Sequence, residues 1–343
     1  MNRPPDLKVS QAIEQIFALN SADIELAKPD TGLKSRTLLG HWPLSRVERI
    51  IFRSEELPSV ILKAVAQPLQ GELTVYQDLF QDPSLEEQRW TPRLYGSTSY
   101  EGDLWLFLED VGPRTLKNEP TPLNLLRAIQ TLASFHVYFG REVANGSLQQ
   151  RSSIPVRDYS NYLSGARHAL VLTRALVNKN LFTEVTPRHL AQLESIANIY
   201  DRVAIGLMGA PQTLVHGDYT PENIALSRDG SRIIVLDWGD AHIGSAMVDL
   251  VDLATFATSR FGPDMLPRIL QEYQQAYSQA RGEQLASEPL EELFVCSQIE
   301  KMIGMIRWYC QCSLKWIPSG VAAYNHMVAG LIEEAYELST VLL

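Results

Sequence analysis

Between Leu214 and Gly244 the chain reads LVHGDYTPENIALSRDGSRIIVLDWGDAHIG. Three oxygen-bearing side chains are spaced through this stretch: Asp218, then Asn223, then Asp237 at the end of the apolar run RIIVLD. Pro221 discourages a helix between the first two, so Asp218 and Asn223 are expected to face each other across a tight loop. Asp229-Gly230 is a strong hairpin-turn signal, and the strands it joins, IALS and RIIVLD, would return Asp237 to the side of that loop. Gly239 then allows a sharp backbone turn just after the carboxylate. Two carboxylates and an amide gathered in this way suit a hard cation held by oxygen ligands beside a proton acceptor.

Phosphoryl transfer is a chemistry that needs this set. A base orients the attacking hydroxyl, while two oxygen ligands hold Mg²⁺ against nucleotide phosphates. The elements that must position the three side chains fall into two blocks. The first runs to about Gly112. It opens on an amphipathic helix with Ala12, Ile13, Ile16 and Phe17 on one face, followed by a break at Lys28-Pro29-Asp30. Short β-rich runs come next, TLLGHWPLSRVERIIFR and SVILKAV, read as a strand pair and a third strand. Pro68 and Gly71 punctuate. GELTVYQDLF then reads as a helix with Leu73, Tyr76, Leu79 and Phe80 inward, and PRLYGSTSYEGDLWLFLEDVG as a hairpin turning near Glu101-Gly102. Beyond Pro113 the periodicity is helical, in LNLLRAIQTLASFHVYF, in RHLAQLESIANIYDRVAIGLM and in the apolar runs after Asp249. Only the 214–244 stretch interrupts it with strands. No internal repeat or low-complexity segment is present.

The pattern HGDxxxxN, followed by a strand and Asp-Trp-Gly, resembles the catalytic and metal-binding loops of the aminoglycoside phosphotransferase and choline kinase group. The likeness extends in order along the chain. VILKAV resembles the family's third strand, GELTVYQDL the helix after it, LWLFLEDVG the hinge strand, LASFHVYF the first long helix of the large lobe, and DWGDAHIGSAMVDLVDLA the metal loop with its following helix. The resemblance implies an α+β, protein-kinase-like bilobal fold, with a nucleotide-binding lobe over residues 1–112 and a helical catalytic and substrate-binding lobe over 113–343. It also implies site residues. Asp218 would be the general base, and Asn223 and Asp237 the Mg²⁺ ligands. Lys63 would bind the nucleotide phosphates, oriented by Glu72, and the backbone around Leu108, Glu109 and Val111 would pair with the base of ATP or GTP. Asp249 would brace the catalytic loop, and His216 and His136 read as structural. Asp240 and His242, just past the metal loop, are candidate substrate contacts. Two departures from the kinase pattern stand out. Gly40 is a single glycine where protein kinases carry three, so the nucleotide loop is placed only as the region 40–45. The step from Lys63 to Glu72 is short for this fold.

The implied activity is transfer of a phosphoryl group to a hydroxyl of a small molecule. A peptide Ser/Thr kinase is disfavoured by the short stretch from Asp237 to Asp249 with no Ala-Pro-Glu after it; a catalytically silent nucleotide-binding scaffold is disfavoured because every motif side chain is present. At 343 residues the chain exceeds what one core usually sustains. The formal net charge of −10 argues against a nucleic-acid partner, which needs a basic surface. No run is long and apolar enough to span a membrane, and the amino terminus reads as no signal peptide. The cytoplasm is therefore the expected compartment. Cys296, Cys310 and Cys312 fit no common zinc spacing and lie in the apolar segment LFVCSQIEKMIGMIRWYCQC, where cysteine acts as a small hydrophobe in a buried helix. The acidic and aromatic carboxy-terminal tail, including Glu288, Glu333, Trp308 and Tyr309, suits a cationic or bulky acceptor.

Overall fold

A computed structural model describes residues 5–20, 32–54, 59–66, 69–80, 85, 88–282 and 290–342, with side chains described throughout except at 17–20. In chain order the elements begin with α1 (Asp6–Asn20), β1 (Leu33–Trp42), β2 (Ser45–Phe52), β3 (Val60–Val65), α2 (Gly71–Val75), β4 (Leu94–Tyr100) and β5 (Asp103–Glu109). They continue with α3 (Pro122–Ala144), α4 (Ser147–Arg151), α5 (Tyr159–Asn178), α6 (Pro187–Gly209), β6 (Gln212–Val215), β7 (Ile224–Leu226), β8 (Ile233–Val235) and β9 (His242–Ser245). Four α-helices follow, α7 (Met247–Phe261), α8 (Met265–Arg281), α9 (Leu290–Gln311) and α10 (Val321–Val341), with a π turn (Cys312–Trp316) and a short 3-10 turn (Pro318–Gly320) between the last two. The expected break at Lys28-Pro29-Asp30, Pro68, the Phe17 side chain and Glu288 lie outside the described residues.

The chain divides into two compact units, one of residues 1–121 with 222–240, the other of 122–221 with 241–343. Residues 113–121 and 222–240, beyond the expected boundary at Gly112, thus cluster with the first unit.

The first unit is built on a five-stranded antiparallel sheet in the order β1-β2-β3-β5-β4. Alternation along β3 gives it two faces. Val60, Leu62 and Ala64 join Ile50, Phe52, Trp105 and Phe107 in a cluster covered by Val9, Ala12, Ile13 and Ile16 of α1. Lys63, between Leu62 and Ala64, must point to the opposite face. The β4–β5 hairpin closes through Glu101 and Gly102, both at positive φ (52° and 87°), the geometry of a two-residue turn whose twist matches the strands. After β3 the expected helix forms as α2 and widens into a π turn over Tyr76–Phe80. Its inward residues are Glu72, Val75, Tyr76 and Leu79, whereas Leu73 and Phe80 are only partly covered. A carboxylate on the buried side is what apolar periodicity does not anticipate.

The β7–β8 hairpin belongs to this unit because its edges are taken. Leu116 N–H donates to Ile224 O, Leu226 N–H to Arg114 O, and Val235 N–H to Trp90 O. Ala225 and Ile234 pack on Val111.

The second unit is helical, as its periodicity foretold. One hydrophobic core in it joins α5, α6, α9 and α10 through residues such as Leu176, Leu193, Ile196, Val203, Ile299, Ile303, Val328 and Ile332. Cys296, Cys310 and Cys312 are buried and free. Two features were not anticipated from sequence. Helix α5 lies where no periodic run was singled out, and His242–Ser245 forms β9, antiparallel to β6. No helix among the described residues is long and apolar enough to cross a membrane.

Candidate active site

Each unit carries one part of the predicted constellation. In the first, Lys63 Nζ lies 2.6 Å from Glu72 Oε2 and 2.7 Å from Asp237 Oδ1. Glu72 is almost wholly buried, and its other oxygen accepts the Trp238 N–H at 3.3 Å. Trp238 is fixed in turn by its indole N–H on Val235 O at 3.1 Å and by an edge contact with Phe80. The short step from Lys63 to Glu72 therefore does not prevent the pairing, because the helix starts at Gly71 with its second residue already turned toward β3. Burial works against the charge on Lys63, but the carboxylates of Asp237 and Glu72 outweigh it and hold its pKa above the ordinary lysine range. Burial pushes the Glu72 carboxyl upward against the pull of Lys63.

Asp237 stands two residues beyond the end of β8. Ile224 of β7 pairs with Val235 of β8, and Leu236 N–H donates to Asn223 O at 2.8 Å, so this register seats Asn223 beside the backbone that leads into Asp237. Asp237 has φ 61°, in the left-handed region that non-glycine residues rarely occupy. Such a conformation costs about 1–3 kcal/mol and clusters where a side chain must be aimed. Its side chain is 49% exposed, in contrast to the 1% of Glu72. A carboxylate oxygen and an amide oxygen on one hairpin are a hard donor set of the kind that suits Mg²⁺ when nucleotide oxygens supply the remaining ligands. Among the described residues, no group of three or more His, Cys, Asp or Glu side chains stands ready to hold a metal without such help.

Leu108 and Glu109 close β5, where Leu108 pairs with both Ile61 and Leu94. The Glu109 N–H donates to Arg93 O, and its carboxylate accepts the Arg93 N–H. Asp110 ends the strand by binding Arg49, Ser59 and the Gly112 amide, which draws its carboxyl below the usual range although burial opposes this. Val111 then turns inward. The region around Gly40 is a β1–β2 hairpin with a shift of register between Leu38 and Gly40, in which Trp42 pairs with Ser45 and Leu44 is buried, with no glycine-rich loop. Two cavities among the described residues touch the end of β5 and the residues after it. One of about 750 Å³ is bounded by Tyr76, Phe80, Trp90, Tyr95 and Glu109, the other of about 360 Å³ by Arg49, Asp110, Val111, Arg114 and Arg228; neither is lined by Lys63, Glu72 or Asp237.

In the second unit the His216-Gly217-Asp218 turn is held by its backbone. Asp249, fully buried on α7, accepts the His216 N–H and the Gly217 N–H, both at 2.7 Å, one on each oxygen. His136 Nε2 lies 3.1 Å from the same carboxylate, while its Nδ1 meets Tyr273 OH at 2.8 Å. Burial alone would raise the Asp249 carboxyl, yet the His136 hydrogen bond and the neighbouring imidazoles and amide bring it below the ordinary aspartate range. Gly217 sits at φ 85°, which a side chain would strain. His216 accepts the Asp218 N–H on Nδ1 at 3.2 Å and is fully buried, a bracing role, as is that of His136. Asp218 itself is half-buried at the turn.

Two residues of this turn's surroundings were missed by sequence reasoning. Lys301 of α9 donates to Gly217 O at 2.6 Å and to Asp252 Oδ2 at 2.7 Å. The signals were present: Asp252 is three residues beyond Asp249, hence on the same face of α7, and Lys301 is a charge inside an apolar run. Tyr309, stacked on Tyr324 with ring centroids 5.1 Å apart, lies within electrostatic reach of both Asp218 and Lys301. His242, expected as a substrate contact, is buried in β9, where it pairs with Val215; Asp240 is exposed.

The model of the phosphotransferase enzyme family matches residues 66–282, more than half of the chain. No curated protein matches by sequence. Solved structures with the same fold include an ethanolamine kinase from Plasmodium vivax (TM-score 0.61, 11% identity, covering 97% of this chain and 90% of that one). The gentamicin complex of APH(2")-IIa has a TM-score of 0.58 at 14% identity, covering 96% of this chain and 99% of that one. The macrolide 2'-phosphotransferase MphH from Brachybacterium faecium gives 0.57 at 17% identity, with 94% and 98% covered. The five-stranded sheet, the helical second unit and the family match agree: this chain belongs to the phosphotransferase enzyme family and has the protein-kinase-like fold.

Proposed function

We propose that the protein is a small-molecule kinase that transfers the γ-phosphate of ATP or GTP to a hydroxyl group. The observation that carries this reading is the Lys63 ammonium held between buried Glu72 and half-exposed Asp237. A cation fixed in this way is a prepared phosphate contact, since an unpaired lysine on a flexible stem would wander. We assign Lys63 to the donor's phosphates and Glu72 to its orientation. The nucleotide base is assigned to the backbone of Leu108, Glu109 and Val111, within a nucleotide-binding lobe over 1–112. Asn223 and Asp237 would hold Mg²⁺, which when bound supplies positive charge to the phosphates. Asp218 would accept the proton of the acceptor hydroxyl, in the catalytic and substrate-binding lobe over 113–343.

The acceptor is a small molecule rather than a peptide, because Ala241 to Leu250, where a peptide platform would follow the metal loop, are all buried. The Tyr309–Tyr324 stack within reach of Asp218 favours an acceptor with a broad apolar or cationic face. The acidic net charge supports a role without nucleic acid or membrane, and three free thiols support the reducing cytoplasm as its compartment.

The test is nucleotide turnover in Mg²⁺, first without acceptor and then with aminoglycosides, macrolides, amino alcohols and sugars. Acceptor-dependent release of ADP or GDP is expected, falling about 10²- to 10⁴-fold in Asp218→Ala with nucleotide binding retained. Absence of acceptor-dependent turnover across the panel would count against the kinase reading. An Asp218→Ala variant as fast as the parent would remove Asp218 from the role of base.

A further inference from the structure

The larger cavity of the first unit, of about 750 Å³, has the size of a small-molecule pocket, and the roles assigned above leave it unused. Its walls are aromatic. Tyr76 and Phe80 come from the π turn that ends α2, with ring centroids 6.1 Å apart. Tyr95 comes from the start of β4, where the register with β5 shifts between Leu94 and Gly96. Trp90 is anchored by its carbonyl, which accepts the Val235 N–H at 2.6 Å. Such faces pack well on a flat ring.

The exposed residues of the lining are all basic: Arg89, Arg93 and Arg232, with Glu109 the one acid among the described lining residues. Burial raises the Tyr95 phenol and Glu109 adds to the rise, while Arg93, Arg228 and Arg89 oppose it, so positive charge gathers round that hydroxyl. On a chain of net charge −10 this is a local reversal. A guanidinium fork matches the oxygens of a carboxylate, sulfonate or phosphate. Tyr76, also in the wall, is 1% exposed, and its hydroxyl has no hydrogen-bond partner among the described residues. Thr91 stands within its reach, but the Thr91 hydroxyl donates to Pro92 O at 3.0 Å. A buried phenol ordinarily finds an acceptor, and a ligand in the cavity can supply one.

We propose that this cavity is a second ligand site, for a planar aromatic molecule that carries an oxyanion, and that its occupant tightens nucleotide binding. The ring would lie among Tyr76, Phe80, Trp90 and Tyr95, its oxyanion toward the arginines and a second oxygen on the Tyr76 hydroxyl. The effect on nucleotide rests on the reading of Lys63 as the phosphate contact. Phe80 meets Trp238 edge-on with centroids 4.8 Å apart, the Trp238 N–H donates to Glu72 at 3.3 Å, and Glu72 holds Lys63. A ligand that orders Phe80 orders this chain of contacts, and a donor then meets a lysine already fixed. The coupling is reciprocal, so the donor tightens the ligand by the same factor.

The probe is 6-hydroxynaphthalene-2-sulfonate, followed by its fluorescence on the full chain, with neutral 2-naphthol as its uncharged counterpart. One saturable site per chain is expected, weakened by salt. The double variant Arg93→Gln/Arg232→Gln, which changes exposed side chains, should weaken the sulfonate about 3- to 20-fold and leave 2-naphthol unmoved. Tyr76→Phe, which keeps the ring, should weaken it about 2- to 10-fold. ATP or GTP with Mg²⁺ should not displace the probe, and saturating probe should lower the nucleotide Kd about 2- to 5-fold. Sulfonate binding that is equal in the parent and both folded variants overturns the site, as does the absence of saturable binding. Displacement by nucleotide would assign the cavity to the donor and overturn it too. A nucleotide Kd indifferent to the probe overturns the coupling. A parent that binds no nucleotide strikes the kinase reading instead, because the probe titrations in parent and variants need neither nucleotide nor turnover.

Discussion

Asp237 and Asp249 are twelve positions apart in sequence and are used in opposite ways. Asp237 lies two residues after β8 in left-handed backbone, leaves its side chain half in solvent and offers an oxygen to Lys63. Asp249 lies inside a helix, fully buried, and commits both oxygens to the His216 and Gly217 amides with His136 behind them. The first carboxylate is strained and accessible, and its charged partner, Lys63, is itself a side chain. The second has no remaining role but to fix a turn. Ionic groups near a site therefore divide by what they satisfy: side-chain charges that a ligand can replace, or backbone dipoles that nothing replaces.

The contrast is sharpest in stability. Asp249→Ala would leave two buried amides and an imidazole without their acceptor, and a loss of about 3–5 kcal/mol is expected, read from urea unfolding as a lower midpoint with an unchanged slope. Asp237→Asn in the same assay should cost less than about 1 kcal/mol, since the group is exposed and only one of two lysine partners is weakened. Its effect should fall on the Mg²⁺ requirement at fixed nucleotide. Equal losses of stability in the two variants would erase the distinction.

A second measurement uses pH. Asp252 titrates near 6 in the folded protein against about 4 for an unperturbed aspartate, so between those values the folded state binds the additional proton. Its contribution to stability is present below about pH 4 and is lost as pH rises through 6. Relative to Asp252→Asn, the parent should lose about 2–3 kcal/mol between pH 4 and pH 7. Asp249, whose folded pKa is lowered, carries the opposite sign: its stabilisation is present above the ordinary aspartate range and lost as the solution becomes more acid. A flat difference between parent and Asp252→Asn would place Asp252 among the exposed carboxylates.

Smaller effects test the first unit. In a cycle of Lys63→Met and Glu72→Gln, a coupling of about 1–2 kcal/mol is expected in nucleotide binding, with the double variant resembling Lys63→Met; losses additive within about 0.5 kcal/mol would mean the pair acts independently. In the second unit, Gly217→Ala puts a side chain at φ 85° and should cost about 1–2 kcal/mol of thermal stability.

The features that were legible from sequence share a physical cause. Asp218, Asn223 and Asp237 stood out because a turn signal and two short apolar runs bracket them. The sheet was readable from alternation, as at Val60, Leu62 and Ala64 against Lys63. What escaped notice was settled by distant packing. Glu72 is buried because Lys63 and the Trp238 amide meet it, and no periodicity of apolar residues marks a buried carboxylate. β9 is four residues long and becomes a strand only by pairing with β6. Lys301 and Asp252 find each other from helices 49 positions apart, a pairing that spacing along the chain does not encode.

The attachment of residues 222–240 to the first unit has a consequence for how the protein is made. The 100 residues from 122 to 221 separate the two chain segments of that unit. During synthesis at about 5–20 residues per second, Val111 waits about 6–25 s for Ala225 and Ile234, the Arg114 carbonyl about as long for its donor, and the Trp90 carbonyl about 7–29 s. A fragment ending at residue 121 would expose that apolar patch and leave Lys63 and Glu72 without Asp237 and Trp238. The first unit is therefore not a detachable module: cut at residue 121, it would keep its five-stranded sheet but lose the β7–β8 hairpin that packs on Val111, and so be inclined to aggregate.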